Sequence, residues 1–354
     1  MKNKFLSIIL IMMMLLTTGC GNKSYIVDKN KKIVINEQTG QNLQKDIYCR
    51  PEKNSEVYKL YKKYEKQMNV SLKKLPECNE FKMNSNKTNS LWQFIFVKPL
   101  AFLILKLGYL LKHIGLTKSF LGVSVMIIGL AIRLIILPFN IKTQKQSRRI
   151  QEAAPELKKI ERKYANRTDQ EAMILKGQET MAVYQKYKIS PFTSCLLSLI
   201  QLPLFFAFLQ AIYKIPAIYE GEIFGWNLGT TPSVGLFKNH QYSFIILIIL
   251  IILTTYFSFK YTMKQSQSMA ADSNAGSQMK TMLIVMTVLI AFASFSLPTA
   301  IALYWIVTYA FIIIQTFVMN LLSNKEKNKK VKSNKKKIKE KLEMKAGMKY
   351  GKNN

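Results

Sequence analysis

The sequence predicts an all-α polytopic membrane protein: five transmembrane helices around a polar groove open to the cytoplasm, an interfacial amphipathic helix and a cytoplasmic helical hairpin. Three observations predict it. Hydrophobic residues make up 49% of the 354 and gather in long runs such as "YSFIILIILIILTTYFSF", which a soluble core does not need. The formal charge of +32 lies between and after those runs. The Lys and Arg residues also concentrate on alternate connections, as a series of membrane crossings requires.

Residues 1–19 read as a lipoprotein-type signal peptide. "MKNK" is a basic start, "FLSIILIMMMLL" an apolar stretch too short to span, and "TTGC" ends on Cys20. Cleavage before Cys20 and acylation of its sulfur, with a palmitate-type lipid, would anchor the new N-terminus on the outer face. Thr17 stands where such signals usually carry Leu, and an ordinary signal peptide or an uncleaved anchor is the alternative.

Residues 20–90 form a polar, Lys/Asn-rich extracytoplasmic segment. Val57, Leu60, Tyr61, Tyr64, Met68 and Leu72 keep helical spacing, which predicts one short amphipathic helix. Cys49 and Cys78 fall here, where an oxidising compartment permits a disulfide; two free thiols are the alternative. Cys195 lies in an apolar run, as a packing residue. With His113 and His240 the only histidines and no CxxC pattern, no metal site is expected and no cofactor beyond the lipid on Cys20.

Residues 91–115 are apolar enough to resemble a span, but Lys98, Lys106, Lys112 and His113 fall within roughly a third of the helix circumference. A one-sided basic stripe, with Pro99 near its start, suits a helix lying in the outer interface. Were it a span, the basic loop after Phe139 would face outward.

The core, 116–322, contains five spans at 120–139, 192–213, 241–261, 281–297 and 299–322, each near bilayer length. The loop 140–190 carries twelve Lys/Arg and the tail 323–354 thirteen, against Lys214 and Lys238 in the loop 214–240. That asymmetry puts 140–190 and the tail inside, with a tight outward turn at 296–299. Within 140–190, Pro155, as a first-turn or kink residue, introduces "ELKKIERKY", Asn166-Arg167 breaks it, and Thr168 with Glu171 forms a capping box ahead of "AMILKGQETMAVYQKY". Two antiparallel helices would make a charged hairpin; a solvated loop with helical propensity is the alternative.

"GLAIRLIILPF" places the permanent cation of Arg133 on the inner half of the first span, about 10 Å from its cytoplasmic end. Burying Arg at a span centre costs about 3 kcal/mol on insertion scales. Snorkelling to the inner interface is one resolution. An ion pair is not, because none of the five spans contains Asp or Glu. Neutral polar residues recur instead at helical spacing: Ser194, Ser198 and Gln201; Thr254, Ser258 and Thr262; Tyr304, Thr308 and Gln315. Singly they serve as interhelical glue. Together, around an unpaired cation, they outline a wet groove that attracts acidic groups from the cytoplasm.

These residues resemble the YidC-type membrane protein insertases. The resemblance runs from Leu91 to Leu322 and rests, in order, on "GLAIRLIILPF", "APELKKIERKYANR", "CLLSLIQLPLFFAF" and "FSLPTAIALYWIVTYAFIIIQ". It implies an insertase and chaperone for nascent membrane proteins, not an enzyme. Arg133 would engage the client in a hydrophilic groove, Gln201 is the polar residue of "QLPLF", and Tyr304 and Trp305 pack beside the groove. The lipoprotein-type signal and five spans resemble the Gram-positive form. "CLLS" departs from the proline many members carry there and implies a straighter start to the second span.

The implied partners are nascent membrane proteins, the Sec translocon and, through the Lys-rich tail, ribosomal RNA or anionic lipid. A tail that only sets topology is the alternative. A small-solute transporter or channel would be expected to show intramembrane carboxylates, His or repeats. A hydrolase would need a nucleophile or metal motif, and a bare lipoprotein anchor gives no reason for Arg133.

Overall fold

The computed structural model describes residues 24–85, 90–167, 169–266, 274–322 and 325; the side chains of 191–200, 262–283 and 286 are outside that description. The expected signal segment with Cys20, residue Thr168 and the tail beyond 325 therefore lie outside the described residues. The chain is an all-α polytopic membrane protein whose helices form a bundle with a different structure at each end.

At one end, which we term the cap end, residues 24–85 fold back on themselves. Antiparallel bridges pair Tyr25 with Gln44, Val27 with Ile33 and Ile35 with Asn42, and a parallel bridge pairs Arg50 with Glu77. Helix α1, Glu56–Lys63, starts where the Ser55 hydroxyl oxygen accepts from Tyr58 N–H at 3.0 Å. The helical spacing through Leu72 overestimated it, because Met68 and Leu72 lie beyond the helix end. The Glu65 carboxylate accepts from the Ser71 hydroxyl at 2.6 Å and from Leu72 N–H at 3.0 Å, holding the chain in a turn instead. Ile26, Val34, Leu43, Ile47, Val57, Tyr61, Leu72 and Leu75 form the core, into which Tyr219 inserts from far along the chain. A disulfide joins Cys49 and Cys78, whose Cα atoms are 4.8 Å apart. Both cysteines, with Tyr48 and Phe81, belong to the main apolar core of the bundle.

A π turn at Gln93–Val97 leads into α2, Lys98–His113. This helix packs on α3, Phe120–Lys163: the Ser124 hydroxyl donates to Ile104 C=O at 2.6 Å, and Gly108 faces Leu121. At 44 residues α3 is about 66 Å long. Of the two readings of Pro155, the structure places it inside the helix rather than in a first turn, because Pro138 and Pro155 both lie within one helix continuous with the first span. An internal proline strains the helix and removes one hydrogen bond. Buried side chains flank both prolines, Ile132 and Ile136 before the first and Ala153, Ala154 and Ile160 around the second, and hold the helix across them.

Helix α4, Gln170–Lys186, returns antiparallel to α3 and completes the hairpin end. Its N-cap is Asp169, whose Oδ2 accepts from Ala172 N–H at 3.0 Å, rather than the expected Thr168. Ala153, Ile160, Tyr164, Ala172, Val183 and Ile189 are the hairpin's small core. Lys186 pairs with Glu156 and Lys163 with Glu179 across its surface.

Then follow α5, Pro191–Tyr213; α6, Pro216–Glu220; a two-stranded antiparallel ribbon of β1, Glu222–Ile223, and β2, Trp226–Asn227; α7, Pro232–Phe237; α8, Phe244–Ser266; α9, Asn274–Ser296; and α10, Thr299–Leu322. Among the described residues, four helical segments are long and apolar enough to cross a membrane: Gln93–His113, part of Phe120–Lys163, Phe244–Tyr261 and Thr299–Leu322. The described apolar parts of α5 and α9, Gln201–Tyr213 and Thr287–Ser296, are shorter.

The connection 214–243 is the floor on which residues 24–85 sit. Tyr48 N–H donates to Lys214 C=O at 2.9 Å, Thr231 N–H to Thr39 C=O at 2.8 Å, and Gln41 Nε2 to Gly229 C=O at 2.9 Å. Lys214 also pairs with Asp46, and Lys238 with Glu37 at 2.9 Å. Thr299 and Ala300 N–H donate to Thr230 and Leu228 C=O, fixing the start of α10 to the same connection.

Candidate functional site

Arg133 lies thirteen residues into α3, roughly 20 Å from its first residue. It is 7% exposed, facing α5 and α10. Its Nη1 donates to Gln201 Oε1 at 3.0 Å. Its Nε is buried without any partner. The Tyr304 hydroxyl interacts with the same Gln201 and feels the arginine's charge, as does Tyr309 one turn further on. Among the described residues no carboxylate pairs with Arg133. A buried cation met by one neutral acceptor has unspent hydrogen-bonding capacity, and a carboxylate offered in the plane of the guanidinium would meet it in bidentate fashion.

The packing beside Arg133 and Gln201 is aromatic. Tyr304 stacks on Phe208 with centroids 4.3 Å apart, and Trp305 stacks on Phe205 at 5.8 Å. Close approach of α3 to α10 depends on Gly129, where an added Cβ would stand 2.9 Å from the Tyr304 ring. Thr308 is buried, but its hydroxyl donates to Trp305 C=O at 3.2 Å and so is engaged within its own helix. Arg133, Gln201, Tyr304, Trp305 and Thr308 are thus brought together. Ser194 and Ser198 precede Gln201 on α5, with side chains outside the described residues.

Polar groups continue from Arg133 toward the hairpin end. Asn140, two turns on along α3, donates through Nδ2 to Gln315 Oε1 at 3.3 Å, both residues being buried. Next, Gln146 Nε2 donates to Ser190 C=O at 3.1 Å, and Arg148 donates to Met319 C=O. Sequence reasoning missed Asn140 and Gln146. The signal was present for Asn140, whose seven-residue offset from Arg133 matches that of Gln315 from Thr308.

On α8 the buried hydroxyls are Thr255 and Ser258, with Thr254 half-exposed and donating to Leu250 C=O at 2.7 Å. The expected face of Thr254, Ser258 and Thr262 is therefore rotated, and Thr262's side chain is outside the described residues. Among the described residues, no three His, Cys, Asp or Glu converge as metal ligands would.

Comparison with known proteins bears on this arrangement. A family profile described as "60Kd inner membrane protein" matches residues 113–330. The chain is 32% identical over 233 residues to "Membrane protein insertase YidC" of Oceanobacillus iheyensis, covering 66% of this chain and 85% of that one. It is 33% identical over 234 residues to "Membrane protein insertase YidC 1" of Halalkalibacterium halodurans, covering 66% and 80%. With "Membrane protein insertase MisCA" of Bacillus subtilis it shares 33% over 187 residues, covering 53% and 65%. The matched region holds every residue described around Arg133 and excludes the 24–85 unit. On that match the chain belongs to the 60Kd inner membrane protein family, the YidC-type membrane protein insertases.

Proposed function

We propose that this protein inserts and helps fold nascent membrane proteins in the bacterial cytoplasmic membrane, with Arg133 as the group that attracts acidic or polar client segments. One observation carries the reading: a buried guanidinium with one fixed neutral acceptor and an unpartnered Nε. The track from Gln201 and Tyr304 through Asn140 and Gln315 toward the hairpin supports a groove opening at that end. A client's apolar segment slides along the spans while its polar tail uses the groove, which shortens the low-dielectric barrier. No bond is made or broken, so the activity needs no catalytic nucleophile.

The same reading orients the molecule. The twelve basic residues of 140–190 favour a cytoplasmic hairpin end, leaving the cap end outside, where acylated Cys20 would tether it. Five spans then remain, with 91–115 interfacial. Two contacts favour that placement for α2. Trp92 Nε1, just before it, donates to Gln210 near the cap end of α5, and Gly108, near its other end, packs on Leu121 at the cap end of α3. The Lys-rich tail would engage ribosomal RNA, with anionic lipid and the Sec translocon as further partners.

The test is insertion of a single-span client with an acidic outward tail into liposomes holding only the purified protein. Insertion should proceed without ATP. A charge-assisted hydrogen bond contributes about 1.5–3 kcal/mol, so Arg133→Ala should slow insertion roughly tenfold or more, as should a neutral client tail. Equal insertion of the acidic client by Arg133→Ala would reject the role assigned to the charge.

A further inference from the structure

The ribbon β1–β2 turns through Phe224 and Gly225, both left-handed, with φ of 53° and 80°. Two left-handed central residues suit a type I′ turn, whose first position favours Asn, Asp or Gly, and a bulky residue adopts this conformation rarely. Phe224 nevertheless occupies it, with 74% of its surface exposed. Behind it Ile223 and Trp226 are buried, while Glu222 and Gly225 are exposed with it. Ile223 packs against Gly122 near the start of α3, and Trp226 donates through Nε1 to Ser243 Oγ at 3.0 Å.

The exposed ring continues a larger apolar surface. Phe224 meets Trp226 edge-on with centroids 6.3 Å apart, and Trp226 lies 6.4 Å from Phe244, in the first turn of α8. From there Ile245, Ile246 and Ile249 carry an exposed apolar face down a membrane-spanning helix. Phe237 and Tyr242, in the connection leading into α8, are also exposed. Aromatic rings at the end of a lipid-facing helix are the usual content of the interfacial layer.

We propose that the ribbon tip is a lipid anchor, with Phe224 inserted among the headgroups of the cap-end leaflet beside Phe237 and Tyr242. The turn holds the ring outward, and the buried Ile223 and Trp226 transmit its depth to the starts of α3 and α8.

The test places a nitroxide at Phe224→Cys in the full chain, with Cys20→Ser and Cys195→Ala, in lipid nanodiscs. Its relaxation by oxygen is compared with that by a water-soluble nickel chelate, using Ile246→Cys as the lipid-facing reference and Lys29→Cys as the aqueous one. The oxygen preference at 224 should lie clearly above that at 29 and toward that at 246. Chelate-dominated relaxation at 224, matching position 29, would overturn the anchor.

Discussion

Gly129 shows how closely single atoms constrain the site. Adding a Cβ there brings it 2.9 Å from a Tyr304 ring already stacked on Phe208, so Gly129→Ala must displace the ring that shares Gln201 with Arg133. Overpacking of this kind costs about 1–3 kcal/mol. We expect a lower unfolding temperature and slower client insertion. Gly177 on α4 has open space around it, so Gly177→Ala should instead stabilise by about 0.5–1 kcal/mol through helix propensity; thermal unfolding of the two variants in detergent separates the effects. Arg133→Lys keeps a cation but loses the planar fork, and should retain part of the insertion rate if charge alone acts. Arg133 was legible in the sequence because a charge inside an apolar run is conspicuous, and Gln201 and Tyr304 because they lie in polar sets at helical spacing. Thr255 was not legible. Thr254 and Thr255 differ by about 100° on the helix, and only the packing of α8 decides which one turns inward.

The hairpin joins an exposed charge network to a small apolar centre, and the centre should dominate its stability. Ile160→Ala removes buried volume and should cost about 2–4 kcal/mol, seen as faster amide exchange over 150–187 while the spans stay protected. Neutralising Glu156 or Glu179 should leave that protection nearly unchanged, because exposed ion pairs contribute little. At this scale the hairpin itself was predictable from charge and periodicity, and its details were not. Thr168 and Asp169 are both good caps, and only the observed Ala172 contact identifies the one used. The continuity of α3 through Pro155 depends on neighbours that a local pattern does not reveal.

Across the whole molecule, the cap joins segments that the sequence gives no means of pairing. Single bridges lack the alternation of a strand, and the partners of 24–85 on the 214–243 connection lie 166 to 201 residues away. A cavity of about 350 Å³ remains between them, lined by Arg50, Glu52, Lys53, Glu77, Tyr109, Lys112 and Glu220 among others. Burial pushes the Glu220 carboxyl up to about 7, despite the Glu52 N–H it accepts at 3.1 Å. A carboxyl raised in the folded state binds more protons there than when unfolded. Its contribution is complete below the ordinary value near 4.5 and is lost as pH rises through about 7. Amide protection around 50–55 should therefore fall between pH 5 and 8, and Glu220→Gln should flatten that dependence. Glu65, held down to about 2 by Lys62 and Ser71, acts in the opposite sense and only in acid. Replacing Cys49 and Cys78 with Ala should expose 24–85 to proteolysis, since both sulfurs sit in the core that joins cap to bundle.

Because α3 runs unbroken from the cap to the hairpin, the guanidinium and the projecting arm ride on one rod about 66 Å long. A load placed on the arm is therefore carried along a single helix toward Arg133, passing Pro155 and then Pro138, where that rod yields first.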